Sequence, residues 1–257
     1  MDVHEIFKLQ DQATSANLDC LPSEFGWCHR AIELALDSHT FIANDSAIVA
    51  HREHLRDSDE RSFIRMNVVV NLAYDATGTL ISALRLLHYG VLADAWSLTR
   101  VAFESTCYAE FFARNVEKVP HFLVIAEKIR SDRSAHLANA LRNSGLSVNS
   151  VLRSLEELDH HDRRSFYSRL STFGSHASPV RSGCRIRMSE TECRSYLSIG
   201  HRDLVQCATD LAAVAQYVTG IPFETWPGLM QKEPALVVRH KALEEEFKHI
   251  FARTSKG

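Results

Sequence analysis

The segment from Arg163 to Ser189 is the part of the chain whose residue types point most directly to chemistry. It contains six arginines, His176 and seven serines, but no aspartate or glutamate. Guanidinium groups and hydroxyl donors bind phosphate oxygens, so this composition favours a phosphate-binding segment that includes Arg181. Because the whole chain carries −3, the rest of it carries about −9. The alternative is therefore a solvated loop whose arginines pair with those acids.

Within this segment, Arg169 and His176 have the spacing R-x6-H. The same class of spacing recurs elsewhere in the chain, at Arg114/His121, Arg130/His136, Arg153/His160 and Arg194/His201. The spacing alone therefore does not mark a site. Gly174 is expected to end the helix that contains Arg169, which places His176 on the following loop.

The surroundings of this pair carry a family resemblance. Residues 84–104 read LRLLHYGVLADAWSLTRVAFE, and farther along the chain a Y-x-x-L-S pattern precedes a histidine. In this sequence the downstream residues are Tyr167, Leu170, Ser171, His176 and Ser178. Residues 84–179 therefore resemble domain of unknown function 5677, a bacterial helical family that has been compared with HEPN domains. Some HEPN domains are metal-independent ribonucleases with an R-x4–6-H motif.

The resemblance implies roles for four residues of the basic segment. A histidine with a pKa near neutrality can take a proton from a 2′-hydroxyl or give one to a leaving oxygen, which would make His176 the acid/base. An arginine can neutralise the charge that develops on the phosphorane, which would make Arg169 the phosphate clamp. Ser171 and Ser175 would be auxiliary hydrogen-bond donors.

Arg100 and Glu104 lie in the first family motif and are spaced i,i+4 on a helix. Such a pair stabilises a helix by only about a few tenths of a kcal/mol, and the order Arg before Glu is the less favourable one. Two interpretations stay open. The residues form a partly buried structural ion pair, or they belong to the same substrate-binding site as Arg169 and His176.

The elements that must position these residues are helices. Apolar residues recur at helical spacing over most of the chain, and only 10 glycines and 6 prolines are present. We therefore expect an all-α bundle of about seven to nine helices in one domain, 1–257. The family resemblance implies that the core of this bundle is HEPN-like. The expected helices are Pro22–Asp37, Ala47–Leu55, Asp59–Leu87, Val91–Arg114, Val119–Arg142, Val148–His160, Arg163–Phe173, Glu190–Val218 and Pro234–Ala252. Ser23 is the expected N-cap of the first helix, and Gly90 is the expected stop before Val91–Arg114. That helix is apolar around most of its circumference, so it should be central.

The composition and charge of the chain limit the classes of protein to which it can belong. The net charge of −3 predicts no global attraction to nucleic acid or membrane. No run of about 18 apolar residues or signal-peptide pattern occurs in the sequence. The six cysteines lack zinc spacing and are expected to be free thiols in a reducing compartment. We therefore expect a cytoplasmic protein that does not act on a membrane.

The 14 histidines invite a metal hypothesis. Glu157/His160 and Glu246/His249 are E-x-x-H pairs of the type that binds di-iron centres in helical bundles. About one such pair is expected by chance at this composition, so we expect no metal and no cofactor. Phosphate-binding glycine loops and the other common catalytic motifs are absent from the sequence.

The sequence thus favours a helical protein that binds RNA or a nucleotide phosphate and resembles metal-independent ribonucleases of stress or defence systems. The alternative is a non-enzymatic helical interaction or regulatory module. Partner identity is undetermined by the sequence, and a homodimer is kept as one alternative.

Overall fold

The protein is described by a computed structural model that covers residues 19, 21–131, 137–159, 162–174, 186–188, 193–195 and 201–251. The described chain is all-α apart from one small strand pair, as the hydrophobic periodicity predicts. The first four helices are α1 Pro22–Asn44, α2 Ser46–Ser58, α3 Glu60–His88 and α4 Leu92–Arg114. A short 3-10 turn, Val116–Lys118, leads into α5 Val119–Ser131, α6 Leu137–Asn143, α7 Val148–Asp159 and α8 Arg163–Gly174. The remaining elements are β1 Ile186–Met188, β2 Cys193–Ser195, α9 His201–Thr225, α10 Pro227–Met230 and α11 Pro234–Phe251.

The starts and stops of the first helices follow from local chemistry. Asp45 caps α2 by accepting hydrogen bonds from the backbone amides of Ala47 and Ile48, and Asp59 caps α3 through Ser62. The expected N-cap Ser23 is wrong by two positions. Leu21 is the N-cap residue and Pro22 occupies the first helical position, where its missing N–H costs no intrahelical bond.

The predicted helix Glu190–Val218 is wrong at both ends. Cys193–Ser195 pair antiparallel with Ile186–Met188, in a register that places Arg187 opposite Arg194. The helix runs instead over His201–Thr225 and continues through Pro222. The fixed φ of proline is compatible with helix, and its position near the end of α9 limits the loss to one backbone bond.

Within the predicted helix Val119–Arg142 the structure describes two helices, α5 and α6, and residues 132–136 lie outside the described residues. The predicted helix Val148–His160 is described as far as Asp159. The predicted end of α8 is confirmed to within one residue, because the helix ends at Gly174.

Helix α4 is central to the bundle, which confirms the prediction from its broad apolar surface. It packs against α3, α7, α8 and α9. Trp96, Phe103 and Phe112 are fully buried along it. The core extends from Leu21 and Phe25 at one end of the described chain to Phe251 at the other. Because α4 contacts both α8 and α9, it helps determine which polar side chains of these helices meet.

Three cysteines fall in the described residues with their side chains: Cys28, Cys107 and Cys207. All three are free and buried, as the absence of a disulfide pattern predicts for these positions. Burial raises the pKa of Cys107 to about 12, so this thiol is inert at neutral pH. Among the described residues, no helix combines the length and apolarity that crossing a bilayer requires.

Candidate functional site

The candidate site lies where α4 and α8 pack against each other in antiparallel order. Trp96 near the start of α4 stacks on Phe173 near the end of α8, with ring centroids 4.6 Å apart. Phe103 meets Phe166 edge to face at 5.0 Å. These aromatic contacts fix the helix pair, and they determine which polar residues flank the interface on either side.

One flank carries a cluster of four polar residues, Arg100, Glu104, Tyr167 and Ser171, here called the Glu104 cluster. The Tyr167 hydroxyl donates to Glu104 Oε1 at 3.0 Å, and Arg100 Nε lies 3.3 Å from the same oxygen. Ser171 is one turn beyond Tyr167 on the same side of α8. The side chains of Arg100 and Glu104 are 32% and 24% exposed. The cluster is therefore held by the bundle but reaches its surface.

Burial dominates the electrostatics of this cluster. It raises the pKa of Glu104, and the hydrogen bond from Tyr167 and the charge of Arg100 lower it by less. It also raises the pKa of Tyr167, with the Glu104 charge acting in the same direction. Tyr167 thus stays a neutral hydrogen-bond donor, and Glu104 takes up a proton more readily than an exposed glutamate does.

The other flank carries Arg169, whose partner is Asp210 on α9. Arg169 Nη2 lies 2.8 Å from Asp210 Oδ1, and Gln206 donates to the same oxygen at 3.1 Å. Trp96 Nε1 donates to Asp210 Oδ2 at 3.0 Å. The Asp210 side chain is fully buried while that of Arg169 is 45% exposed. Asp210 therefore anchors a guanidinium group at the surface of the bundle.

The other two arginines that the structure describes in α8 are paired with acids outside the basic segment. Arg163 donates to both oxygens of Glu110 on α4, at 2.6 and 3.2 Å, and Arg164 pairs with Glu156 on α7. With Arg169, three of the six arginines of the basic segment are thus paired with acids from the rest of the chain, as the alternative interpretation predicts. The positive charge available to a ligand is correspondingly smaller than the sequence suggests.

The structure brings together Arg100, Glu104 and Ser171 but places Arg169 elsewhere. At about 100° per residue, Tyr167 and Arg169 point about 200° apart around α8, and they bond to different helices. His176, Ser175 and Arg181 lie outside the described residues. The described geometry separates Arg169 from the Glu104 cluster. That His176 joins Arg100 and Glu104 in one site stays a prediction.

Two functional candidates were missed by reasoning from sequence. Tyr167 belongs to the family-like motif but had no role assigned to it, although the i,i+4 spacing of Arg163, Tyr167 and Ser171 marks one face of a helix. Asp210 had no such signal. It lies 41 residues beyond Arg169, and only the packing of α9 against α4 and α8 reveals its role.

The surface shape also bears on what could bind. One depression of about 460 Å³ is lined by Tyr74, Gly78 and Leu98 among others, and one of about 290 Å³ lies between α1 and α11 around Arg30 and Arg239. Neither is lined by a predicted site residue.

In the described part of the chain, no group of three His, Cys, Asp or Glu side chains is placed to hold a metal ion. His160, a member of one E-x-x-H pair, lies outside the described residues. The polar groups that the structure does bring together are suited to hydrogen bonding and proton transfer.

Comparison with known proteins returns no match for this chain among family models, curated proteins or solved structures. The resemblance to domain of unknown function 5677, and through it to HEPN domains, therefore stays a prediction. The functional interpretation depends on the geometry of the Glu104 cluster.

Proposed function

We propose that this protein binds RNA, or a ligand that shares its phosphate chemistry, at the Glu104 cluster. One observation carries the proposal: Arg100 reaches the surface with its Nε held against Glu104, beside the Tyr167 and Ser171 hydroxyls of α8. This contact is an ion pair in which Arg100 Nε makes no hydrogen bond to the described residues, and a guanidinium group has further N–H donors for a second anion. Arg100 is thus oriented before any ligand arrives, which lowers the entropic cost of binding.

The Tyr167 hydroxyl donates to Glu104 and so fixes the carboxylate that faces Arg100. The surface position of the cluster supports a single-stranded segment, whose backbone is accessible from one side. Free buried cysteines are consistent with a cytoplasmic protein, where RNA is abundant. The proposed roles of Arg169 as phosphate clamp and His176 as acid/base belong to the same hypothesis, with Arg169 acting from the opposite flank of α8.

The first prediction tests the guanidinium group of Arg100. Arg100→Gln should weaken binding of a fluorescein-labelled single-stranded RNA about tenfold, because one charged hydrogen bond contributes roughly 1.5 kcal/mol. Arg164→Gln is the matched control, since it removes the same charge from an exposed arginine of α8 that also pairs with a glutamate. It should change the dissociation constant less than about twofold.

A double variant separates the guanidinium group from net charge. Arg100→Gln/Glu104→Gln keeps the net charge of the native chain, yet it should bind RNA as weakly as Arg100→Gln does. Binding by the native protein should also weaken steeply as salt is raised, because each neutralised phosphate releases a counterion. Equal losses in Arg100→Gln and Arg164→Gln, or no RNA binding at low salt, would contradict the proposed site.

The second candidate function is a helical interaction module that performs no chemistry. The observation that favours it is the pairing of Arg163, Arg164 and Arg169 with carboxylates, which leaves little uncompensated charge on α8. This alternative predicts no RNA binding by the native protein at low ionic strength. Light scattering during size-exclusion chromatography would then show whether the partner is a second copy of the chain.

A further inference from the structure

Helix α3 carries its exposed residues in a narrow row on the side opposite the core. Between residues 71 and 89, side chains such as Ala73, Leu80 and Leu87 are buried. Six of the seven exposed positions in this stretch recur at intervals of four, three, four, three and four residues. At about 100° per residue, this spacing keeps them within about 80° of one another around the helix. The row is here called the α3 seam, and its residues are Asn71, Asp75, Gly78, Ser82, Arg85 and Tyr89.

The order of residue types along the α3 seam is complementary to itself. Gly78 and Ser82 lie two residues on either side of Leu80, and Asp75 and Arg85 lie five residues on either side of it. If two α3 helices cross antiparallel at Leu80, a small residue therefore faces a small residue and an acid faces a base. A twofold axis forms each of these contacts twice. A patch with this property fits a second copy of itself.

The two charged residues of the α3 seam are available to a partner. Asp75 and Arg85 are exposed, and neither forms an ion pair with another residue of the described chain. Ten residues of helix, about 15 Å, separate them, so they do not neutralise each other. Antiparallel pairing places each against the opposite charge of a second copy, whereas parallel pairing in register would place like charges together. The charges therefore select the antiparallel orientation.

The middle of the α3 seam permits two helices to approach each other closely. Gly78 lies inside a helix of 29 residues, where glycine is less favourable than alanine. A Cβ at this position would meet nothing within 4 Å, so packing within the described chain does not require a glycine here. The distance between packed helices depends on the side chains at their contact, and a contact between Gly78 and Ser82 of a second copy keeps that distance short.

The depression of about 460 Å³ between α3 and α4 lies on the same face. Its lining residues are Tyr74, Asp75, Gly78, Thr79, Ser82 and Leu98, so half of them belong to the α3 seam. Apolar groups flank it: Tyr74 is 56% exposed, and Val101, one turn beyond Leu98 on α4, is 41% exposed. A second α3 helix that lies in this depression would remove these groups from water, which favours association.

We propose that the α3 seam is the interface of an antiparallel homodimer, in which α3 of a second copy crosses it about a twofold axis at Leu80. The charge complementarity of Asp75 and Arg85 carries the proposal, and the depression and the exposed apolar groups beside it support the same occupant. The α3 seam shares no residue with the Glu104 cluster. The dimer therefore depends on neither RNA binding nor its absence.

The second prediction reverses the charges of the α3 seam. Asp75→Arg and Arg85→Asp should each raise the dissociation constant of the dimer at least about tenfold, because like charges then face each other twice. The double variant Asp75→Arg/Arg85→Asp restores opposite charges and should return to within about threefold of the native value. Sedimentation velocity over a dilution series, without RNA, measures each constant. The matched controls are Asp57→Arg and Arg56→Asp, the same changes at exposed positions of α2, which should leave the constant unchanged.

A mixture of the two single variants tests the antiparallel register. Every charge of the α3 seam faces its opposite in the mixed dimer, so an equimolar mixture of Asp75→Arg and Arg85→Asp should dimerise like the native protein, although each variant alone dimerises weakly. Circular dichroism shows whether each variant is folded.

Three outcomes would overturn the inference: a native protein that is monomeric throughout the dilution series, folded single variants that dimerise like the native protein, or a double variant and a mixture that both fail to restore the dimer. RNA binding is measured in a separate experiment, so the proposed function and the dimer can each fail alone.

Discussion

Arginine residues of α8 and α4 illustrate how one residue type takes different roles according to burial. Arg163 is 4% exposed and forms a two-pronged contact with Glu110, which also bonds Arg114. Arg164, its neighbour in sequence, is 54% exposed in its pair with Glu156. A pair removed from water depends on both partners, whereas an exposed pair competes with water and salt.

The third prediction tests this difference at the residue scale. Arg163→Met should lower the free energy of unfolding by about 3 kcal/mol, because it leaves Glu110 as a buried carboxylate with Arg114 alone to compensate it. Arg164→Met should cost less than about 1 kcal/mol. Urea unfolding monitored by circular dichroism measures both. Similar losses for the two variants would show that Arg163 contributes no more than an exposed pair.

At the scale of the element, the turn between α3 and α4 determines how the central helix enters the bundle. Helix α3 ends at His88, and Gly90 follows with φ of 70°. The Gly90 amide donates to Leu87 O and the Val91 amide donates to Leu86 O, which is the Schellman pattern. The chain reverses here within three residues, so α4 packs antiparallel to α3 along its length.

The fourth prediction compares Gly90, in the turn after α3, with Gly78 inside α3. Gly90→Ala should lower the free energy of unfolding by about 1 kcal/mol, because a side chain disfavours positive φ. Gly78→Ala should raise it by about 0.5–1 kcal/mol, since a Cβ at this helical position meets nothing within 4 Å and alanine favours helix over glycine. Thermal and urea unfolding give both values. A gain in stability for Gly90→Ala would contradict the role of the left-handed turn.

At the scale of the whole molecule, a buried histidine makes folding sensitive to acid. His39 on α1 is 4% exposed, and its Nε2 lies 3.2 Å from Thr77 Oγ1 on α3. Burial lowers the pKa of His39 from 6.5 to about 4. The folded protein therefore excludes a proton that the unfolded chain accepts below pH 6.5, so this contribution to stability is present above pH 6.5 and lost as the pH falls toward 4.

The fifth prediction follows from that sign. Between pH 6.5 and 4 the contribution of His39 to the free energy of unfolding should fall by about 3 kcal/mol, and His39→Gln should remove this part of the pH dependence. Burial raises the pKa of Glu104 and Asp210, so their contributions to the free energy of unfolding change with pH in the opposite direction. The quantity to compare at each pH is therefore the difference in free energy of unfolding between the native protein and His39→Gln. Urea unfolding at several pH values measures it. His121→Gln, the same change at an exposed position of α5, is the matched control.

Local features of the sequence determined the helices and most of their ends. Apolar spacing located α3, α4 and α8 within one or two residues, and Gly90 and Gly174 ended helices where expected, because backbone hydrogen bonding and glycine conformation act over a few residues. The same reasoning misplaced the start of α9. Strand pairing at Cys193–Ser195 depends on a partner strand and is not visible in local periodicity.

The candidate site depended on tertiary structure. Sequence identified Arg100 and Glu104 as neighbours on one helix, but Tyr167 joins them from 63 residues away, and Asp210 bonds Arg169 from a third helix. The packing of α4, α8 and α9 against one another decides which acid neutralises which arginine. Sequence therefore determined which groups were present and which helix carried them, whereas the tertiary structure decided their partners, because burial and Coulomb interactions depend on distance in space.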